Sequence, residues 1–158
     1  MNSIKVLIPA AGLGSRLGIN FPKTLLKIRS RTILENIISK LNTYDEKPTI
    51  IINKKFKHQF IDISKRKKLN LDLVLQNKPK GMGDAVLQMK KTKNYNQIKD
   101  VILIWGDIPF IRKSTINKTI KEHFKNNNDF TFPTIFTQDP YTIVNRNKYN
   151  DVTSVFET

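Results

Sequence analysis

Between Val6 and Lys23 the chain reads VLIPAAGLGSRLGINFPK, a stretch whose residue types could hold a chain of phosphates. The apolar run Ile4–Ile8 empties into a loop of small residues that contains Ala10, Ala11, Gly12 and Gly14. Glycines let backbone N–H groups approach an anion closely, because no Cβ intervenes. Arg16 and, past Pro22, Lys23 add two cations that would neutralise phosphate charge. The acidic counterpart lies far downstream, where Asp107 follows the strand-like Ile102-Leu103-Ile104-Trp105 and Gly106. An Asp in that position is, taken alone, an ordinary turn residue.

Two well-known phosphate loops do not fit. A dinucleotide fingerprint would need its third glycine where Leu17 stands, and a P-loop would need glycine where Pro22 precedes Lys23-Thr24. Glycines alone are equally compatible with a tight turn that holds no ligand. Arg16 and Pro22-Lys23 weigh against that reading.

Ala10-Ala11-Gly12-Leu13-Gly14-Ser15-Arg16, followed by Pro22-Lys23-Thr24-Leu25, resembles the A-A-G-x-G-[ST]-R and P-K-x-L signature of sugar-phosphate nucleotidyltransferases (pyrophosphorylases). Gln76-Asn77-Lys78-Pro79-Lys80-Gly81-Met82-Gly83-Asp84-Ala85 resembles the base-reading segment of that family, Q-x4-G-[TLM]-[GA]-x-A. Ile102 to Phe110 resembles its hydrophobic strand ending in G-D-x-P. Within the family the likeness is to N-acetylglucosamine-1-phosphate and glucose-1-phosphate uridylyltransferases. It covers about the first 110 residues well and the remainder weakly.

The resemblance implies that a sugar-1-phosphate oxygen attacks the α-phosphorus of a nucleoside triphosphate and pyrophosphate leaves. Such transfers need positioning and charge neutralisation more than a covalent nucleophile. It implies that Arg16 holds the pyrophosphate, Lys23 the phosphates at the reacting centre, and Asp107 a Mg²⁺ ion. Ala10, Ala11, Gly12 and Gly14 would complete the nucleotide cradle, with Gln76, Gly81 and Met82 at the base. Gln76 has an amide donor and a carbonyl acceptor, which suits a pyrimidine edge. Relatives with this pattern mostly use UTP or dTTP. Met82 replaces a common Thr and is otherwise a simple core contact. Asp84 stands where several relatives carry His, and an acid in a helix's first turn is explained by the dipole.

The carboxy-terminal part departs from the pattern. Tyr141-Thr142-Ile143-Val144 stands where relatives often read Y-G-R-I, without the glycine and arginine. Val155-Phe156-Glu157 resembles the family's V-x-E strand, which makes Glu157 the candidate for sugar hydroxyls. Family catalytic domains continue further and supply a second metal ligand, so residues 1–158 are expected to be an NTP-transferase domain incomplete at its carboxyl end. Two other nucleotide readings stay open. Methylerythritol-phosphate cytidylyltransferases share I-P-A-A-G-x-G-x-R but lack the Gln76–Ala85 segment and carry H-D-A where Gly106-Asp107-Ile108-Pro109 stands. A nucleotide-binding module without catalysis would keep the loop and need no second ligand.

Composition narrows the classes further. A chain of 158 residues can bury a real core as one domain. The absence of cysteine excludes disulfides and thiolate chemistry, and His58 and His123 lie near no motif. No apolar run is long enough to span a membrane and no signal peptide pattern opens the chain, which reads as soluble and cytoplasmic. The net charge of +15 raises nucleic acid as a partner, but 22 of the 28 cations are lysines. Base readers lean on arginine forks and aromatic platforms instead. A solvated basic face that attracts anionic substrates is favoured over RNA binding.

The elements needed to position these residues alternate in an α/β pattern. Strands are expected at Ile4–Ile8, Thr49–Ile52, Leu71–Leu75 and Val101–Ile104, with further strands at Phe130–Phe136 and Val152–Phe156. Thr32 and Glu35 form a capping box for a helix lined by Ile33, Leu34, Ile37, Ile38 and Leu41. Helices are also expected from 57 to 68 (inner face Phe60, Ile61, Ile63), from 83 to 93, and from 113 to 125 with Ile116, Ile120 and Phe124 inside. The fold expected is a Rossmann-like three-layer α/β/α sandwich with a mostly parallel sheet. Ligands of such sheets bind beyond the carboxyl ends of the strands. The Gly12 loop, Gln76 and Asp107 should therefore share one edge.

Overall fold

The computed structural model describes residues 4–12, 14, 18–78 and 80–157. Its elements run β1 (Ile4–Pro9), β2 (Lys27–Ile28), β3 (Arg31–Thr32), α1 (Ile33–Leu41), β4 (Thr49–Asn53), α2 (Lys57–Lys67), β5 (Asp72–Gln76), α3 (Met82–Leu87), β6 (Asp100–Leu103), α4 (Lys113–Lys125), β7 (Thr142–Arg146) and β8 (Val152–Glu157). The chain divides into two compact units, Met1–Arg112 and Lys113–Thr158.

The first unit is a Rossmann-like α/β fold. Its four-stranded sheet has the order β5-β4-β1-β6 with every neighbour parallel. In chain order these strands lie 3-2-1-4, so the direction of winding reverses between β1 and β6. Val6, Leu7 and Ile8 of β1 and Ile50, Ile51 and Ile52 of β4 are all fully buried. Adjacent strand residues point to opposite faces, so both faces of the sheet are covered, the condition that favours continuous β-branched runs. On one face Leu7, Ile51 and Val74 pack with Ala85 and Met89, with Val86 and Ile98 at the margin.

The loop–helix joints follow local chemistry. Thr32 Oγ1 accepts a hydrogen bond from the Glu35 backbone N–H at 3.1 Å, while Glu35 Oε2 accepts from the Thr32 N–H at 2.8 Å. This is the capping box expected from the sequence. Burial pushes the Glu35 carboxyl up, but the Thr32 bonds and Lys67, 3.2 Å away, outweigh it and hold the group below its ordinary value.

Two expectations for the first unit need correction. The helix after Gly81 runs only from Met82 to Leu87 and tightens into a 3₁₀ turn at Gln88–Lys91. Met89 and Thr92 are both buried, and a three-residue turn brings that spacing onto one face. Thr92 Oγ1 thereby lies 3.4 Å from Thr49 Oγ1. On α2 Phe60 and Ile63 are buried as expected, whereas Ile61 is half-buried.

In the second unit, α4 spans the expected residues and buries Ile116; Ile120 is half-buried and Phe124 is 39% exposed. The Phe124 ring instead meets the edge of His123. No strand forms at Phe130–Phe136, where Phe136 is fully exposed. Pro133 removes a ladder donor there, and no described strand pairs with the segment. Strand β8 is present and pairs antiparallel with β7, a strand that no sequence signal announced.

Replacing Thr32 by Ala should lower stability by about 1 kcal/mol in urea unfolding, the usual worth of an N-cap. The Glu35 carboxyl has a depressed folded-state pKa, so its contribution is full above about pH 4.5 and is lost as pH falls through the folded value. In Glu35→Gln that acid-side loss should shrink.

Candidate functional site

The ladder between β1 and β6 continues past the ends of both strands. The Ile104 N–H donates to Leu7 O and the Gly106 N–H to Pro9 O, each at 3.1 Å. On the other side of β1, the Ala10 N–H donates to Ile51 O at 2.8 Å. Register then levels the motifs. Leu7 pairs with Leu103, Pro9 with Ile51, and Asn53 with Gln76. Carrying these registers to the strand ends sets Gly106 beside Ala10, and Ala11 level with Asn53 and Gln76, across the carboxyl edge, with Asp107 next in the turn after Gly106. The expected convergence of the three motifs is therefore found.

Gly106 is the tightest point of the row. A Cβ there would lie 2.8 Å from Pro9 O, 2.8 Å from Thr24 Oγ1 and 3.3 Å from Ala10 Cβ. Only glycine lets the turn bearing Asp107 close onto both the β1 end and the Pro22-Lys23-Thr24-Leu25 segment. That segment is a short 3₁₀ turn, Lys23–Leu25, with Thr24 and Leu25 buried and Lys23 half-buried. The Leu25 N–H donates to Pro22 O and the Leu26 N–H to Lys23 O, both at 2.9 Å. Lys23 and Asp107 thus each adjoin one side of the Thr24–Gly106 contact.

The glycine-rich loop reaches the same place. Gly14 has φ +67°, and a Cβ there would sit 3.1 Å from Phe21 O, just ahead of Pro22. Ala10 and Ala11 are buried, and the Ala10 N–H is already bonded to Ile51 O, so Ala10 offers an anion no donor. Gly12 is exposed, with open space where a Cβ would be. Arg16 lies outside the described residues.

Gln76, at the end of β5, is 2% exposed. Its Nε2 donates to Asp84 Oδ2 at 2.6 Å and points at Gly81 O, 3.4 Å away. The amide donor expected to read a base is therefore already engaged within the protein. Gly81 has φ +94° and open space beside it, so it is a position that favours glycine. Met82 is 51% exposed and is not a core contact. Glu157 belongs to the second unit, where its Oε2 accepts a hydrogen bond from the Tyr141 hydroxyl at 3.2 Å.

Sequence reading missed two supports of the Asp107 turn. One is Thr24, packed on Gly106; the other is Lys40 of α1, whose Nζ donates to Pro109 O at 2.7 Å. Neither carries a local signal, because Lys40 acts on a residue 69 positions away and Thr24 on one still more distant in the chain. Lys55, beyond β4, similarly donates from Nζ to Asn20 Oδ1 at 2.7 Å and ties β4 to the loop before Lys23.

A parallel sheet whose winding reverses between β1 and β6 defines an open α/β protein, a class that takes its ligands beyond the carboxyl ends of the strands at the switch point. The chain belongs to the family of MobA-like NTP transferase domains, whose model matches residues 6–151. It is 32% identical over 141 residues to the bifunctional protein GlmU of Buchnera aphidicola subsp. Schizaphis graminum, covering 87% of this chain and 28% of that protein. It is 28% identical over 137 residues to the bifunctional protein GlmU of Thermosipho melanesiensis (87% and 29%). The same identity extends over 156 residues to the bifunctional protein GlmU of Francisella tularensis subsp. novicida (98% and 33%). The chain spans about a third or less of the length of these relatives. The resemblance carried by the three motifs and the family match agree.

Gly106→Ala should destabilise the fold by about 1–3 kcal/mol, the range for overpacking a tight contact. Gly12→Ala should change stability by no more than about 0.5 kcal/mol, since its Cβ enters open space and φ is not positive. Urea unfolding of both variants makes the comparison.

Proposed function

We propose that this chain transfers a nucleotidyl group from UTP or dTTP to a sugar-1-phosphate and releases pyrophosphate. The observation that carries the reading is the Gly106 contact, where the Asp107 turn, the end of β1 and the Thr24 segment meet at the switch point. Three inter-strand spacings separate β6 from β5, about 14 Å, which suits a ligand with phosphates at one end and a base at the other.

In this reading the phosphates lie along the Gly12–Gly14 loop, where backbone N–H groups of Ala11, Gly12 and Gly14 face them, while Ala10, its N–H bonded to Ile51 O, anchors the start of the loop. Lys23 neutralises the phosphates at the reacting centre and Arg16 the departing pyrophosphate. The sugar phosphate oxygen bonds to the α-phosphorus as the bond to the bridging oxygen breaks, and the chain's contribution is alignment and charge. Gln76, Gly81 and Met82 border the base, and Glu157 is assigned to a sugar hydroxyl.

The residues fit a Mg²⁺ ion held as nucleotide sites hold one. Asp107 is an exposed carboxylate beside the cradle, and among the described residues no three acidic, His or Cys side chains form an all-protein cage. Magnesium commonly takes one or two carboxylates and completes its shell with phosphate oxygens and water. When bound, the ion would add charge neutralisation at the phosphates. A cytoplasmic setting is consistent with the family, and no helix among the described residues is long and apolar enough to cross a membrane.

Exchange of labelled pyrophosphate into UTP, driven by a panel of nucleotide sugars with Mg²⁺, tests the proposal. Lys23→Ala and Asp107→Ala should each reduce exchange by roughly 100-fold or more, the scale for removing one electrostatic stabiliser. Binding of UTP without exchange would support a non-catalytic nucleotide module instead.

A further inference from the structure

The hydrogen bonds around Gln76 have a fixed direction. Lys91 Nζ, which can only donate, bonds to Gln88 Oε1. That orients the Gln88 amide so that Nε2 faces Asp84, at 3.2 Å from Oδ1 and 3.3 Å from the backbone oxygen. An ionised Asp84 only accepts, so the Gln76 atom 2.6 Å from its Oδ2 must be the amide nitrogen. The other hydrogen of that nitrogen points towards Gly81 O. Gln76 Oε1 is the side chain's remaining polar atom and has no partner among the described residues. No side-chain nitrogen or oxygen among them is both fully buried and without a partner, so Oε1 keeps a share of the 2% of its surface that Gln76 exposes.

We propose that Asp84 is a positioning residue for nucleobase choice: by binding the amide hydrogen of Gln76, it leaves only an acceptor for the base. This rests on the nucleotidyltransferase reading above. A pyrimidine with an N3–H beside its oxo groups, as in uracil or thymine, can donate to Oε1. Cytosine has a bare acceptor at N3, which would face Oε1 lone pair to lone pair. In a protein with an unconstrained glutamine the amide would rotate and accept either base. Here rotation would set Oε1 against the Asp84 carboxylate and is opposed by the charge-anchored chain from Lys91.

The test is competitive binding of UTP, dTTP and CTP to the full chain with Mg²⁺, comparing the wild type with Asp84→Asn. Asparagine can donate or accept, so Gln76 becomes free to turn. The wild type is expected to prefer UTP and dTTP, and the variant to gain affinity for CTP, lowering the UTP-to-CTP ratio about tenfold. A gain for CTP is a readout that mere loosening of the site does not produce. Equal losses for all three, with the ratio unchanged, would overturn the role of Asp84 and leave the proposed function standing. No binding of any triphosphate by the wild type would overturn both. Equal wild-type binding of UTP and CTP would overturn the base-reading role of Gln76 and this inference together. Asp84 is half-buried; if the Asn variant does not fold, Asp84→Ser removes the obligate acceptor with less volume and has the same expectation.

Discussion

The contact of Gly106 with Pro9 O and Thr24 Oγ1 is the constraint from which the candidate site follows. A parallel ladder normally ends in splayed loops, each free to leave the sheet in its own direction. Here the ladder between β1 and β6 runs on to Gly106, so the two loops depart together. Burying the Thr24 hydroxyl in the same contact draws the lysine turn against them. A residue with a side chain at 106 would push the acid-bearing turn off the strand end, and the cationic and acidic halves would part. Lys40 acts on the same turn from α1 through the Pro109 carbonyl.

Charge has to be weighed by where it is fixed. The chain carries 28 basic and 13 acidic residues, yet two ion pairs are formed among the described residues, Lys5–Asp45 and Lys67–Glu35. Most lysines are consequently solvated, and such charges are screened within about 8–10 Å at physiological salt. They raise the local concentration of anions without choosing among them. Choice needs groups held in place, as the Gln76 amide is held by Asp84 at the end of β5.

What could be read from the sequence was what depends on near neighbours. The Thr32–Glu35 box is written in four residues, and β1 and β4 are apolar runs that only a strand buried on both faces would need. Glycines, lysine and aspartate of the site were identifiable by type, and the meeting of their loops at one edge of the sheet followed from connection rules. The failures have the opposite character. Strand β7, with the residues Thr-Ile-Val-Asn-Arg, has no strong pattern and exists by pairing with β8. Phe130–Phe136 has the composition of a strand but lacks a pairing partner among the described residues, and Pro133 weakens it further. Thr24 against Gly106 and Lys40 on Pro109 are contacts that only the folded sheet creates.

Asp84 illustrates how a sufficient local explanation can hide a second role. An acid in the first turn of a helix is favoured by the dipole, and that alone would account for the residue. Yet α3 is only six residues long, so the benefit at its amino end is small. The carboxylate also accepts from two glutamines, 2.6 Å and 3.2 Å away, one of them nine-tenths or more buried at the end of β5. A buried amide left without a partner would cost about 1–3 kcal/mol, more than a dipole contact returns. The stronger reason for an acid at 84 is therefore the orientation of Gln76.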